Sequence, residues 1–234
     1  MKNIGFAVRL EVDTPVSLRG LLHLDGLLAA LAVDRGMNLE DIPLEKHAGI
    51  WKGSAAILET GIYGAVLGEQ IRLKHVVPDA VPAGLFSYLK PAQRKIGEMS
   101  PMRNRLSTYP LLDGVLAVWF TGCGDPDAVF DLLHDARNVG AMGRTGYGRI
   151  TARTLQTIKD SEIAGLALSS GIPARCMPVE TWDGLNLPRP DSAILSMQRF
   201  KPPYWAGEES ICISPMQIDI GGTYREIETL ASVI

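Results

Sequence analysis

The stretch from Gly114 to Ile158, GVLAVWFTGCGDPDAVFDLLHDARNVGAMGRTGYGRITARTLQTI, decides how the chain folds. Gly114–Phe120 is a short, almost wholly apolar run and reads as a buried central strand. Asp125 followed by Pro126 marks a helix start, because a carboxylate accepts from the orphan amides of a first turn and proline is tolerated there. Val129, Leu132, Leu133 and Ala136 then recur at helical spacing, which predicts a helix over Asp125–Arg137. Gly140, Gly143, Gly146 and Gly148 crowd into the loop that follows. Beyond it, Ile150, Ala152 and Thr154 alternate, predicting a strand over Arg149–Ile158. The order is strand, helix, glycine loop, strand.

Upstream, Asn3–Val12 (NIGFAVRLEV) has the period of two of a half-buried strand. His23–Arg35 (HLDGLLAALAVDR) places Leu24, Leu27, Leu28, Leu31 and Ala32 on one helical face, with Asp25 as the expected N-cap and Gly36 as the stop. Lys46–Glu59 carries Gly49 and Gly53 and fits a bent or bulged strand, with Ile71–Val77 as the second strand of a hairpin. Residues 78–110 hold five prolines and read as an excursion that breaks regular structure. Set aside the hairpin and excursion, and residues 1–158 follow the β-α-β-β-α-β order of a ferredoxin-like (RRM-like) domain, α+β in class. The tail, residues 159–234, is rich in proline and turn residues. Short strands over Ala193–Phe200 and Ile211–Ile220 predict a smaller β-rich C-terminal region.

Composition narrows the function. The 234 residues carry 23 Lys+Arg against 26 Asp+Glu, a net charge of −3, which excludes a polyanion binder that is basic over its whole surface. A local basic face is still open, because steering depends on where charges sit. Phe86–Pro110 holds Lys90, Arg94, Lys95, Arg103 and Arg105 against Glu98 alone, and Asn138–Thr157 holds Arg144, Arg149 and Arg153 with no anion. Either these segments meet on one face and contact a polyanion, or they are solvated surface with compensating pairs. Cys123, Cys176 and Cys212 cannot pair completely and share no CxxC spacing, so neither a disulfide framework nor a zinc ribbon is expected. No apolar run approaches the length of a membrane span, and Met1–Arg9 lacks the pattern of a signal peptide. The expectation is a cytoplasmic protein with no membrane contact, no cofactor and no metal.

The glycine loop has a chemistry of its own. Glycine admits positive φ and close approach, and a run of exposed amides can cradle an anion. Arg144 and Arg149 add cations suited to phosphate, and Tyr147 offers a stacking face for a base. A dinucleotide loop follows a strand and opens a helix, whereas this loop follows a helix and opens a strand. A Walker A loop requires Gly-Lys-Ser/Thr, and a kinase loop requires motifs absent here. The plainer alternative is a tight turn beside a packed sheet.

Such a loop, between the last helix and last strand of this element order, resembles the signature of the CRISPR-associated RAMP superfamily. LHLDGLLAALA (Leu22–Ala32), IPLEKHAGIWKGSAA (Ile42–Ala56), FKPPYW (Phe200–Trp205) and GAMGRTGYGRI (Gly140–Ile150) are together similar to the small, Cas-five-like subunit of type IV CRISPR effector complexes. The resemblance implies an RNA-binding subunit of an antiviral ribonucleoprotein, one that grips the 5′ handle of the CRISPR RNA and caps the filament. It implies CRISPR RNA and the backbone and large subunits as partners, with target DNA touched at most indirectly, and makes residues 78–110 a thumb-like insertion. The RNA-binding candidates are Gly140, Gly143, Arg144, Gly146, Tyr147, Gly148 and Arg149 in the loop, Arg103 and Arg105 in the excursion, and Lys52.

Some RAMP proteins instead cut precursor RNA without metal. If this chain does so, His23 at the start of the first helix is the catalytic candidate, with His47 beside Lys52 as a second. A third reading is a ferredoxin-like domain with a metabolic small-molecule site and no RNA role.

Overall fold

The computed structural model describes residues 4–18, 20–76, 103–158, 162–168, 170–191, 193–202, 204 and 209–215, with backbone alone over 72–76 and 103–107. The architecture is α+β, with antiparallel sheets and few helices. β1 (Ile4–Val12) enters the middle of a four-stranded sheet. Its period of two works as expected: Phe6, Val8, Leu10 and Val12 enter the main core, while Ala7 joins a smaller cluster with Trp119 and Cys123.

α1 (Leu24–Asp34) follows β1, and Gly36 at φ +76° ends it. The expected cap does not hold. His23 occupies the N-cap without a side-chain bond to the helix, and Asp25 lies wholly buried inside the first turn. The expected strand over Lys46–Glu59 divides. β2 (Lys46–His47) and β3 (Ile50–Trp51) form a minimal hairpin through Ala48 and Gly49, both at positive φ, and β4 (Ile57–Thr60) is a separate strand.

β5 (Val66–Val76) is longer than its expected counterpart and pairs with β6 (Arg103–Asp113) over eleven positions, not with the segment before it. β6 runs through Pro110, so that proline does not break structure; Leu112, two residues on, donates its amide away from β5 to the Val16 carbonyl, and the same alternation leaves the position of Pro110 with no amide to supply to the β5–β6 ladder. Residues 78–102, the rest of the expected excursion, lie outside the described residues, as does residue 77.

β7 (Val115–Gly124), α2 (Pro126–His134) and β8 (Ile150–Ile158) fulfil the reading of the opening stretch. Asp125 accepts from the amides of Asp127 and Ala128 at 3.2 Å each, and Pro126 occupies the first turn. The sheet order is β4-β7-β1-β8, antiparallel throughout. β1 and β4 therefore run in one direction with β7 between them, and β7 and β8 run together with β1 between them. Two strand–helix–strand units are interleaved, each helix linking strands that are not neighbours.

The helices cover one face of this sheet. Leu24, Leu28 and Leu31 of α1 and Val129, Leu132 and Leu133 of α2 pack with Phe6, Val8, Leu10, Val118 and Phe120. Truncating a core aromatic such as Phe6 to alanine would cost about 3–5 kcal/mol.

The C-terminal part forms a sheet of order β10-β11-β9 from β9 (Met177–Pro178), β10 (Ile194–Gln198) and β11 (Ser210–Ser214), with α3 (Val179–Gly184) beside it. Its core gathers Leu166, Met177, Trp182 and Ile213 around Ile50 of β3, so it is welded to the N-terminal part. No described helix is long and apolar enough to cross a membrane.

Candidate nucleic-acid interface

The glycine loop is fixed by backbone bonds on two sides. Its ends close on each other: the Val139 amide donates to the Gly148 carbonyl at 2.8 Å and the Ile150 amide to Arg137 at 3.0 Å. Its underside rests on the chain leaving β1. There the Gly148 amide donates to Pro15 at 2.8 Å, the Ala141 amide to Ser17 at 2.6 Å, and the Arg149 amide to the Thr14 hydroxyl at 2.8 Å.

These closures demand glycine at two positions. Gly148 has φ +62°, and a Cβ there would stand 2.0 Å from the Val139 carbonyl oxygen; Gly140 has φ +85°, and its Cβ would stand 2.5 Å from Ser17. Between them a single 3₁₀ turn, Gly143–Thr145, lifts the tip outward, entered through Met142 and left through Gly146, both left-handed. Gly140, Arg144, Thr145, Gly146 and Arg149 are exposed, and Gly148 is buried.

The three arginines of Asn138–Thr157 have different fates. Arg149 is paired with Asp13 through both ends of its guanidinium, which holds the Asp13 carboxyl below its usual range. Arg153 lies on the helix-covered face of β8 and donates to the Leu133 carbonyl at 2.8 Å and to Ala136, satisfying the end of α2. Arg144, exposed on the 3₁₀ turn, has no hydrogen bond or ion pair among the described residues. Tyr147 is half-buried, and its hydroxyl donates to the Gln70 side chain at 2.9 Å, which couples the loop to the β5–β6 ribbon. Nothing in the sequence marked Gln70.

Arg103 and Arg105 fall on β6, at register positions opposite Val76 and Lys74. Lys52 is not a surface cation: it is 4% exposed, with its ammonium 3.6 Å from Glu45. His23 is also sealed in. It is 4% exposed, its Nε2 accepts from the Cys176 amide at 3.2 Å, and its ring stacks on Tyr204 at 5.1 Å. Burial, then the charge of Arg175, push its pKa well below the usual value and keep the imidazole neutral.

Beside His23 lies a network that sequence reasoning missed. Arg175, wholly buried, donates to Asp25 at 3.1 Å, the Tyr204 hydroxyl at 3.1 Å, the Phe200 carbonyl at 2.7 Å and the Gly53 carbonyl at 3.1 Å, and also to Trp51. Tyr204 donates in turn to Asp25 at 2.8 Å. Burial pushes the Asp25 carboxyl upward against the pull of Arg175. The FKPPYW segment thus owes at least its Phe200 carbonyl and Tyr204 to this lock, which ties the C-terminal part to α1 and β3. The sequence signal was an aspartate inside an apolar helix start, which reads equally well as a cap. All three cysteines are buried and free.

The chain belongs to the proteins associated with type IV CRISPR systems. The family model described as CRISPR type IV associated protein Csf3 matches residues 5–216, so the chain is a member of the Csf3 family, a RAMP-like type IV subunit. No curated protein matches the chain.

Proposed function

We propose that this chain is the non-catalytic subunit that holds the 5′ handle of the CRISPR RNA and caps the filament of a type IV ribonucleoprotein, beside the backbone and large subunits. Interleaving of the two strand–helix–strand units supports reading residues 4–158 as a ferredoxin-like RAMP domain with the β5–β6 ribbon inserted. One observation carries the RNA assignment: a loop locked by its own backbone presents at its tip, next to the ribbon, an exposed Arg144 that is unpaired among the described residues. A cation held on a rigid turn contacts phosphate with little ordering cost. The fixed loop and the half-buried Tyr147 suit recognition of a single-stranded RNA by shape and stacking.

Arg149 contributes less, being already paired with Asp13. Lys52 is left out of the proposed surface. Cleavage of precursor RNA through His23 would require that ring at the surface, whereas it is stacked beneath Tyr204.

The test is binding of handle RNA to the purified chain and to Arg144→Glu. Each lost phosphate contact lowers the salt slope by about 0.7 on a single strand. We expect Arg144→Glu to weaken binding at least tenfold with unchanged thermal unfolding. Equal affinity of the two proteins would sink the assignment.

A further inference from the structure

The ribbon carries four cations, Arg72 and Lys74 on β5 and Arg103 and Arg105 on β6. The register sets Arg72 opposite Ser107, Lys74 opposite Arg105, and Val76 opposite Arg103. Directly opposed residues share a face, and successive residues alternate between faces. All four cations therefore belong to one face, which is also the face of Gln70, the residue bonded to Tyr147 of the glycine loop. Glu69 falls on the other face with Leu67, Ile71, Leu73 and Leu106. On the cationic face the described ribbon has one acid, Asp113, and it lies at the base, on the far side of Gln70 from the cations.

Two physical points ask for an anion here. Like charges at opposed positions, such as Lys74 and Arg105, destabilise a ladder. Positions on one face of a strand repeat every two residues, about 6.7 Å. That step is close to the one between successive phosphates of an extended nucleotide strand.

We propose that this face carries the phosphates of the RNA segment that continues from the glycine loop, with Arg72 and Lys74 acting beside Arg103 and Arg105. The inference rests on the RNA-holding function above. It reads backbone charge rather than base identity, so its contribution is independent of sequence.

The experiment compares two RNAs, the 5′ handle alone and the handle with a uridine extension, each titrated with the full chain over a salt series. Arg72→Glu/Lys74→Glu is expected to lower the salt slope on the long RNA by about 1.4, which is two contacts at about 0.7 each. Affinity for the short RNA should stay within about twofold. Arg72→Gln/Lys74→Gln removes the same charges without reversing them and should give the same slope change if the first variant folds poorly. Arg144→Glu should weaken both RNAs. If Arg144→Glu does so while the ribbon variants leave both slopes intact, the ribbon track is overturned and the handle site stands. If the ribbon variants weaken the short RNA as much as the long one, the face belongs to the handle site and the track is again overturned. If no variant changes either RNA, both assignments fall.

Discussion

Replacing Arg175 with methionine would strip the cation from a pair in which both side chains are wholly buried. Asp25 would keep the Tyr204 hydroxyl at 2.8 Å and the Gly26 amide at 3.0 Å as donors, but no opposite charge among the described contacts. Breaking a buried pair in this way typically costs about 3–5 kcal/mol. Protonation limits the penalty. At pH 7 it costs about 1.36 kcal/mol for each of the roughly 3 units above an ordinary aspartate, or about 4 kcal/mol in all.

The sign of the pH dependence follows. In the variant the folded Asp25 titrates above its value in the native chain, which burial already raises, so the penalty is absent where both proteins hold the proton and grows as pH rises. The loss should fall to at most about 1.5 kcal/mol at pH 5 by the same arithmetic. His23, which Arg175 helps to hold neutral, becomes freer to take a proton in that window and acts in the same direction. Urea unfolding followed by tryptophan fluorescence at pH 5, 6 and 7 measures this. Asp25→Leu/Arg175→Met, which removes the acid as well, should recover at least about 2 kcal/mol at pH 7 and lose the pH dependence. A loss below about 1 kcal/mol at pH 7, or one equal at pH 5 and pH 7, would refute the reasoning.

Three further outcomes are expected. Gly148→Ala forces a Cβ against the Val139 carbonyl at positive φ and should cost at least about 1–3 kcal/mol, with faster hydrogen exchange across residues 139–150 as the measurement. Asp125→Ala removes the acceptor for two amides of α2 and should cost about 1 kcal/mol in denaturant unfolding. In the native chain the depressed pKa of His23 gives stability that is present above the ordinary histidine value of about 6.5 and lost as pH falls below it, by up to about 1.4 kcal/mol per unit. His23→Phe, which keeps an aromatic ring against Tyr204, should flatten that acid limb; an unaltered limb would assign it to other groups.

The site was legible only in outline. The four glycines and Arg144 announced a loop able to approach an anion, and the structure places that loop at the surface. The sequence could not say which neighbouring cations were already committed. Arg149 finds Asp13 across 136 positions, and Lys52 is buried against Glu45. Arg153, counted as part of a basic segment, caps α2 through carbonyls that no side-chain pattern displays. Tyr147 shows the same limit: its hydroxyl partner, Gln70, lies 77 positions away on a strand whose pairing was read differently.

What the sequence determined by itself was local. Asp125-Pro126 set the start of α2, the period of two set β1 and β8, and the apolar run set β7, because each depends on neighbours a few residues away. Only the tertiary structure decided that β5 pairs with β6, that Asp25 is a buried ion-pair partner instead of a cap, and that His23 is enclosed. Those outcomes turn on contacts between residues as far as 179 positions apart, as for Tyr204 and Asp25. Burial and pairing are properties of the packed chain, and a carboxylate or a cation carries no local mark of which partner the topology will bring to it.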